Sequence, residues 1–313
     1  MEQRNLGRSG LRVSAIGLGC NNFGGRIGRE ETRAVLYSAL DAGITLLDTA
    51  DVYGNRGGSE SLIGESLGPR RQDIVLATKF GLPMDDAEAL KGASRRYIVR
   101  AVEASLRRLR TDWIDLLQQH RPDPLTPIEE TLRALDDLIR AGKVRYVGCS
   151  NLPAWQVVDA HWTATTCNLA GFVSCQDEYS LLARDAEQEL IPAMRRLGLG
   201  LLPYFPLASG VLTGKYNRNQ PYAGHARLRG NQSLADQFLT EANLNRAERL
   251  AVWAEERGHS LLDLAFAWLL AREPVASVIA GATTPEQVRQ NVLAGGWVLG
   301  EAEKVEADTM LAG

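Results

Sequence analysis

The sequence of 313 residues lacks three features: an excess of positive charge, a long apolar run and closely spaced cysteines. Its net charge is -3 and its pI is near 5.9, so it carries no basic footprint for nucleic acid. The most apolar stretch, 261–271, is too short to span a bilayer and contains Asp263. The polar N-terminal stretch MEQRNLGRSG has no apolar signal segment. We therefore expect a cytoplasmic protein that binds neither nucleic acid nor membrane.

The four cysteines follow neither a CxxC nor a metal-finger spacing. Three of them, Cys20, Cys149 and Cys175, lie at or near predicted strand ends, and Cys167 is the fourth. We expect reduced structural thiols and no metal site.

Short apolar runs alternate with helical patterns along the chain. Eight of these runs are candidate strands, at 15–18, 45–47, 74–78, 114–117, 144–148, 172–174, 199–203 and 277–279. Most show no polar alternation, which is typical of parallel strands that are covered on both faces. Strand–helix–strand repeats imply right-handed crossovers, so the sequence predicts an α/β protein.

Apolar faces and N-terminal capping motifs of the helices between the strands can be recognised in the sequence. One apolar stripe is formed by Ile98, Val102, Ser105, Leu106 and Leu109. Two further helices are predicted to begin with a capping box and a proline at the first helical position. The residues involved are Thr126, Pro127 and Glu129 in one, and Thr284, Pro285 and Gln287 in the other. A last helix is predicted over 298–313.

The segment 214–243 breaks this rhythm. From Tyr216 to Asn243 it is rich in Asn, Gln, Gly and Arg and poor in aliphatic residues. Loops of this length within compact domains are usually functional or disordered. We interpret the segment as a mobile flap over a bound cofactor, with an inert surface insertion as the alternative.

Four polar residues stand at or just beyond predicted strands. Asp48 and Tyr53 lie in DTADVYG, Lys79 lies in the run IVLATKF and His120 closes DLLQQH. Residues beyond the carboxyl ends of parallel strands share one face of an α/β protein. A buried cation beside a phenol favours the phenolate and makes the phenol a better proton donor. Taken singly, each residue has an ordinary structural explanation, and Lys79 alone could form a Schiff base. Together they provide the groups that carbonyl reduction requires: a proton-donating phenol, a cation held by a carboxylate, and an imidazole that can orient a carbonyl oxygen.

The chain resembles the aldo-keto reductases over nearly its whole length. The motifs that carry the resemblance are LGRSGLRVSAIGLGCNNFGG, DTADVYGNRGGSE, VLATKFG, LLQQHRPDP, VRYVGCSN, QDEYSLL, PYFPLASGVLTGKY and IAGATTPEQVRQN. The resemblance implies one domain over 1–313, a (β/α)8 TIM barrel with a C-terminal helix. The segment 4–13, with its turn GRSG, then becomes a β-hairpin that plugs the barrel bottom.

By resemblance, Tyr53 gives a proton to the carbonyl oxygen, and Lys79, paired with Asp48, lowers the pKa of Tyr53. A neutral His120 orients the carbonyl. Hydride comes from C4 of a reduced nicotinamide. The implied dinucleotide site consists of Gly19, Cys20, Asn21, Asp48, Ser150, Asn151, Gln176, Tyr204, Phe205, Pro206, Leu207, Ser209, Gly210, Leu212, Lys215, Gly281, Thr283, Gln287 and Asn291. Within it, Ser150, Asn151 and Gln176 bind the carboxamide and Tyr204 stacks on the ring.

At the adenosine end the chain departs from the most NADPH-selective relatives. Those place a lysine or arginine early in the last motif, where this chain has Gly281 to Thr284. A 2′-phosphate is best matched by arginine. Three arginines could compensate: Arg289, Arg227 and Arg229. NADPH is still preferred as the cofactor, and NADH is left open.

The substrate is the least defined part. Phe23, Phe80 and Arg121 adjoin the motifs and are candidate lining residues for a small-molecule carbonyl compound, as is Phe205. Some relatives are cytoplasmic subunits of ion channels, so a dinucleotide-binding regulatory subunit is an alternative. The sequence leaves the oligomeric state open.

Overall fold

The chain begins with an antiparallel hairpin in which β1 (Gln3–Asn5) pairs with β2 (Arg12–Ser14). This computed structural model describes residues 1–216, 228 and 231–311. Gly7, in the turn, has a φ of 59°, and a Cβ there would lie 2.5 Å from the carbonyl oxygen of Gly198. Because Gly198 precedes a barrel strand, the hairpin closes the amino-terminal end of the barrel. Leu6 and Val13 are fully buried in a core cluster with side chains from the strands, so the predicted plug is confirmed.

Eight parallel strands form one sheet, in the spatial order β10-β3-β4-β5-β6-β7-β8-β9. The strands are β3 (Ile16–Gly19), β4 (Leu46–Asp48), β5 (Val75–Phe80), β6 (Ile114–Gln119), β7 (Val144–Ser150), β8 (Ser174–Gln176), β9 (Gly200–Leu201) and β10 (Val278–Gly281). The sheet closes because Leu201 N donates to Pro274 O at 2.9 Å and Ile279 N donates to Pro203 O at 3.2 Å. The predicted (β/α)8 barrel is therefore confirmed.

Eleven α-helices are present within the described residues, and most neighbours in sequence pack side by side around the strands. They are α1 (Arg29–Asp41), α2 (Tyr53–Leu67), α3 (Arg95–Leu109), α4 (Ile128–Arg140), α5 (Ala154–Thr166), α6 (Leu190–Leu197), α7 (Gln232–Phe238), α8 (Glu241–Glu255), α9 (Leu261–Leu270), α10 (Pro285–Ala294) and α11 (Glu301–Leu311). Contact between α10 and α1 completes the ring. Within the described ranges, every helix is too short or too polar to cross a membrane.

The predicted apolar stripe of α3 is buried.

The two predicted helix starts turn out differently. The capping box at Thr126 is wrong, because the Thr126 hydroxyl donates to Asp123 Oδ2 at 2.7 Å and α4 has no side-chain cap. At α10, Thr284 does cap the helix by accepting from Gln287 N at 3.3 Å. The reciprocal half is absent, since Gln287 Oε1 accepts from Thr283 N instead.

The part of the predicted flap that the structure describes is largely helical. Asn231 caps α7 by accepting from Leu234 N, and Phe238 at the end of α7 is buried against Phe205. This packing explains why a polar stretch of the segment is helical. Residues 217–227 and 229–230 lie outside the described residues, so the flap itself stays a prediction.

The four cysteines are free thiols. Cys20, Cys149 and Cys175 are buried, and Cys167 is half-buried. Cys149 and Cys175 face each other across β7 and β8, with their Sγ atoms 3.6 Å apart. Their burial agrees with the structural thiols expected from the sequence.

Candidate active site

Neighbouring parallel strands deliver a buried ion pair to the carboxyl end of the barrel. Asp48 is the last residue of β4, and Lys79 lies near the end of β5. Lys79 Nζ donates to both carboxylate oxygens of Asp48, at 2.9 and 2.8 Å, and to Thr49 O at 2.9 Å. The Lys79 side chain is fully buried, and Asp48 is 3% exposed. Three acceptor contacts therefore hold the ammonium in one position.

Tyr53 and His120 complete the group that the sequence singled out. Lys79 Nζ lies 5.0 Å from the centre of the Tyr53 ring, and the two side chains share a hydrogen bond. The Tyr53 and His120 rings meet edge to face, with centroids 5.8 Å apart. All four side chains thus lie together, although Asp48 and His120 are far apart in the sequence.

A left-handed turn follows Tyr53 directly. Gly54, Asn55 and Arg56 have φ of 66°, 59° and 66°. Such a conformation costs about 1–3 kcal/mol at each residue other than glycine. A Cβ on Gly54 would lie 2.4 Å from Phe23 O and 2.6 Å from Ser59 N. Only glycine fits there, and the turn fixes where the chain leaves Tyr53.

The Asp48 carboxylate accepts two further hydrogen bonds. Gln176 Nε2 donates to Asp48 Oδ1 at 2.8 Å, and Gln118 Nε2 donates to the same oxygen at 3.3 Å. Gln118 stands opposite Lys79 in the β5–β6 register and is fully buried. Gln118 was not among the residues singled out from the sequence, although the glutamine pair Gln118–Gln119 directly before His120 was an available signal.

The surroundings hold Lys79 charged and His120 neutral. Burial alone lowers the pKa of Lys79, but Asp48 and then Tyr53 outweigh it, so the pKa of Lys79 is raised. Burial, with the positive charges of Lys79 and Arg121, lowers the pKa of His120 to about 2. His120 Nδ1 is buried and has no hydrogen-bond partner among the described residues. A charged ammonium and an uncharged imidazole therefore both adjoin the phenol.

A cavity of about 1680 Å³ extends from these residues across the barrel end. It is lined by most of the predicted dinucleotide site: Gly19, Cys20, Asn21, Asp48, Ser150, Asn151, Gln176, Tyr204, Phe205, Pro206, Leu207, Ser209, Gly210, Lys215, Gly281, Thr283, Gln287 and Asn291. Leu212 is instead buried in the core. Lining residues that the sequence analysis did not single out include Arg26, Glu178, Gln237 and Gln290.

Of the predicted substrate-pocket residues, Arg121 lines the cavity together with Tyr53 and His120. Phe23 and Phe80 are 0% and 1% exposed and belong to the core. For Phe80 the reason is strand alternation, because it follows Lys79 and so points to the opposite face of β5.

Asn151 connects the cavity wall to the group formed by Asp48, Tyr53, Lys79 and His120. Its Oδ1 accepts from the Tyr204 hydroxyl at 2.7 Å, and its Nδ2 donates to Ser150 Oγ at 2.8 Å and to His120 O at 3.2 Å. Asn151 has a φ of 60°. Hydrogen bonds of Asn151 therefore join Tyr204, the predicted ring-stacking residue, and Ser150, a predicted carboxamide-binding residue, to His120.

The wall formed by 205–210 fits an anionic group. Phe205, Ala208, Ser209 and Gly210 have φ of 51°, 45°, 55° and 103°. Ser209 Oγ is buried and has no hydrogen-bond partner among the described residues. A Cβ on Gly210 would lie 2.7 Å from Lys215 Nζ, so glycine lets the ammonium lie close. A buried hydroxyl without a partner among the described residues and a lysine close to the next residue, Gly210, are groups that can bind an anion.

The far end of the cavity is held by its own side chains. Gln287 Oε1 accepts from Thr283 N at 2.8 Å and from Thr283 Oγ1 at 3.1 Å. Arg289, one of the three candidate cations, donates to Glu286 Oε2 at 2.7 and 3.0 Å and does not line the cavity. Arg227 and Arg229 lie outside the described residues.

Among the described residues, no group of His, Cys, Asp and Glu is arranged to hold a metal ion. The fold and the site together define a parallel barrel with a buried Asp48–Lys79 pair and a large cavity at the carboxyl ends of its strands. The chain belongs to the aldo/keto reductase family, whose sequence profile matches residues 15–308.

Three relatives match nearly all of the chain. Two are named "Probable voltage-gated potassium channel subunit beta", from Oryza sativa subsp. japonica and Arabidopsis thaliana. Each is 40% identical over 94% of this chain and 91% of its own length. The third, "Uncharacterized oxidoreductase YrpG" of Bacillus subtilis (strain 168), is 38% identical over 94% of this chain and 91% of its own length.

Proposed function

We propose that the protein is a cytoplasmic NAD(P)H-dependent reductase that converts aldehydes or ketones into alcohols. One observation carries the proposal. A buried Lys79–Asp48 pair and a neutral His120 adjoin Tyr53 in the cavity that the predicted dinucleotide residues line. The family supports carbonyl reduction in general. The particular carbonyl compound is left to experiment.

Tyr53 is the proton donor in this mechanism. The Lys79 ammonium stabilises the phenolate that remains after proton transfer, and Asp48, Gln118 and Gln176 keep the ammonium in place. General acid catalysis of this kind contributes about 10²–10⁴-fold. His120, being neutral, orients the carbonyl oxygen by a hydrogen bond and adds no second charge.

The dinucleotide, when bound, supplies hydride from C4 of its nicotinamide. Ser150, Asn151 and Gln176 would hold its carboxamide, and Tyr204 would lie against the ring. Ser209 and Lys215 would face its pyrophosphate. Holding the carbonyl compound against the cofactor removes most of the entropy cost of reaction.

NADPH is the proposed cofactor, with NADH as the alternative. Arg289 pairs with Glu286 and does not line the cavity, so it does not face the site proposed for the 2′-phosphate. Comparing kcat/KM for NADPH and NADH decides the question. A lower value for NADPH than for NADH would overturn the preference.

A second candidate is a dinucleotide-binding channel subunit, which the names of two relatives favour. A third, a Schiff-base aldolase, needs a neutral lysine. It is disfavoured because Lys79 has a raised pKa and three acceptor contacts.

Multiple-turnover oxidation of NADPH with a simple aromatic aldehyde tests the proposal. We expect many equivalents of alcohol per protein chain. Consumption limited to one equivalent would support the channel-subunit function instead. Trapping of a substrate adduct by borohydride would support the aldolase.

A further inference from the structure

Two exposed arginines line the cavity together with Tyr53 and His120. Arg26 lies in the loop after β3, and Arg121 directly follows His120 beyond β6. Neither guanidinium has an ion-pair or hydrogen-bond partner among the described residues. The stretches that the structure does not describe, 217–227, 229–230 and 312–313, contain no Asp or Glu. Neither arginine is therefore paired with a side-chain carboxylate of its own chain.

The main chain that carries Arg121 is fixed in place. His120 N donates to Phe80 O at 2.9 Å, and Gln119 Nε2 donates to Arg121 O at 3.0 Å. After burial and the charge of Lys79, the positive charge of Arg121 is a further cause of the lowered pKa of His120. The guanidinium therefore lies close enough to act on the imidazole that adjoins the phenol.

The loop that carries Arg26 packs against the turn that follows Tyr53. Within the loop, Arg26 N donates to Asn22 O at 2.9 Å. A Cβ on Gly25 would lie 3.9 Å from the Cα atom of Gly54, the residue directly after Tyr53. Arg26 therefore belongs to the part of the cavity wall that lies next to the Tyr53 turn.

Two acidic residues near this wall are not paired with the arginines. Burial raises the pKa of Asp177 to about 8, against the opposing effects of a backbone hydrogen bond and of Arg121, so its carboxyl group is protonated at neutral pH. Glu178 lines the cavity, but both of its carboxylate oxygens accept from Gln237 Nε2, at 3.0 and 3.2 Å. An anionic group of a ligand is the partner that suits the guanidinium groups, because arginine binds carboxylate and phosphate through paired hydrogen bonds.

We propose that Arg121, assisted by Arg26, selects carbonyl compounds that carry an anionic group, a carboxylate or a phosphate. The proposal rests on the proposed reductase function. The anionic group binds the guanidinium of Arg121 while the carbonyl oxygen lies at Tyr53 and His120. Because this ion pair is present in both the ground state and the transition state, it lowers the KM of the substrate and leaves kcat unchanged.

The test compares 4-carboxybenzaldehyde with its uncharged isostere 4-formylbenzamide in NADPH-dependent reduction. For the wild type we expect kcat/KM to be about tenfold higher for the acid, which corresponds to one hydrogen-bonded charge pair. This comparison does not depend on the folding of any variant. Equal kcat/KM for the two aldehydes would overturn the proposal.

Arg121→Met then tests the residue itself, because methionine keeps the apolar stem and removes the charge. The KM for 4-carboxybenzaldehyde should rise about tenfold, with kcat and the kinetics of the amide unchanged. Arg121→Lys should recover part of the loss, since it keeps the charge without the planar fork. An equal loss with both aldehydes, or a fall in kcat alone, would contradict the role of Arg121. The same comparison with 4-formylphenyl phosphate and 4-methoxybenzaldehyde shows whether phosphate or carboxylate is the preferred anion.

Arg289→Met is the matched control. Arg289 pairs with Glu286 and does not line the cavity, so its loss removes one positive charge and should leave the preference for the acid unchanged. A similar loss of preference in this variant would mean that net charge, and not Arg121, attracts the substrate. Arg26→Met should weaken the preference less, by about two- to fivefold. A raised KM for NADPH in Arg121→Met would assign the guanidinium to a cofactor phosphate and overturn the proposal.

Binding of the alcohol products separates this proposal from the reductase function, because it needs no turnover. The two products, 4-(hydroxymethyl)benzoate and 4-(hydroxymethyl)benzamide, are titrated calorimetrically into the protein with NADP⁺. Tighter binding of the benzoate that is lost in Arg121→Met supports the anion site. If neither aldehyde is reduced in that case, the reductase function alone fails. Equal binding of the two products, with both aldehydes reduced equally well, refutes the anion site and leaves the reductase function intact.

Discussion

The two ends of the cavity hold their polar groups in opposite ways. At the end proposed to carry the chemistry, called the catalytic end below, Asp48 and Lys79 are buried and satisfied by each other and by amide donors. At the far end, Thr283 and Gln287 are more exposed and bond to each other. The buried ion pair is held in one fixed geometry. The hydrogen bonds between Thr283 and Gln287 can be replaced by water or by a ligand.

The catalytic end is therefore preorganised, whereas the far end can adapt to a ligand. Breaking one side of a buried ion pair costs about 3–5 kcal/mol, because an uncompensated charge remains. Exchanging an exposed hydrogen bond costs only about 0.5–1.5 kcal/mol. Substitutions at the catalytic end should therefore change kcat and stability. Substitutions at the far end should change the KM of the dinucleotide.

The largest expected effect is that of Tyr53→Phe. Removing the hydroxyl deletes the proton donor and leaves the ring, so kcat for reduction should fall by about 10²–10⁴-fold. Steady-state kinetics with an aldehyde measures the fall, and fluorescence titration checks that dinucleotide binding is retained. Undiminished turnover by a variant that still binds the dinucleotide would remove Tyr53 from its role.

Lys79→Met comes next and tests the buried pair itself. The substitution leaves Asp48 charged and buried, so the free energy of unfolding should fall by about 3–5 kcal/mol. Denaturant unfolding measures the loss. The double variant Asp48→Asn with Lys79→Met is the control, because it removes both charges and should regain part of that stability. If the single variant is as stable as the wild type, the pair is not the rigid element described here.

The catalytic end was predictable from the sequence because its residues stand at the ends of apolar strands. Parallel pairing then brings Asp48, Lys79 and His120 to one face whatever their separation. Gln118 was missed because a polar residue within a strand gives no direction of its own. Only the register with Lys79 places it against Asp48.

Local competition explains the errors elsewhere. The capping box at Thr126 failed because Asp123, three residues earlier, takes the hydroxyl. The Asp123 carboxylate is itself held in place, because it also accepts from the backbone N–H of Ala93, a residue 30 positions away. A contact of that kind depends on the fold, so the local motif could not reveal it.

The smallest effect is expected from Gln287→Ala at the far end. Gln287 lines the cavity, so the loss of its amide should raise the KM for the dinucleotide about two- to tenfold, the equivalent of one hydrogen bond. The kcat should stay the same, because an interaction made equally in the ground state and the transition state acts on binding alone. Steady-state kinetics at saturating aldehyde measures both constants.

Thr284→Ala is the matched control for that substitution. Thr284 caps α10 but does not line the cavity, so its loss should lower stability by about 0.5–2 kcal/mol and leave the KM unchanged. Equal KM changes in the two variants would mean that Gln287 acts only by holding the start of α10. A fall in kcat for Gln287→Ala would mean that the far end is coupled to the chemistry, and the contrast between the two ends would then be wrong.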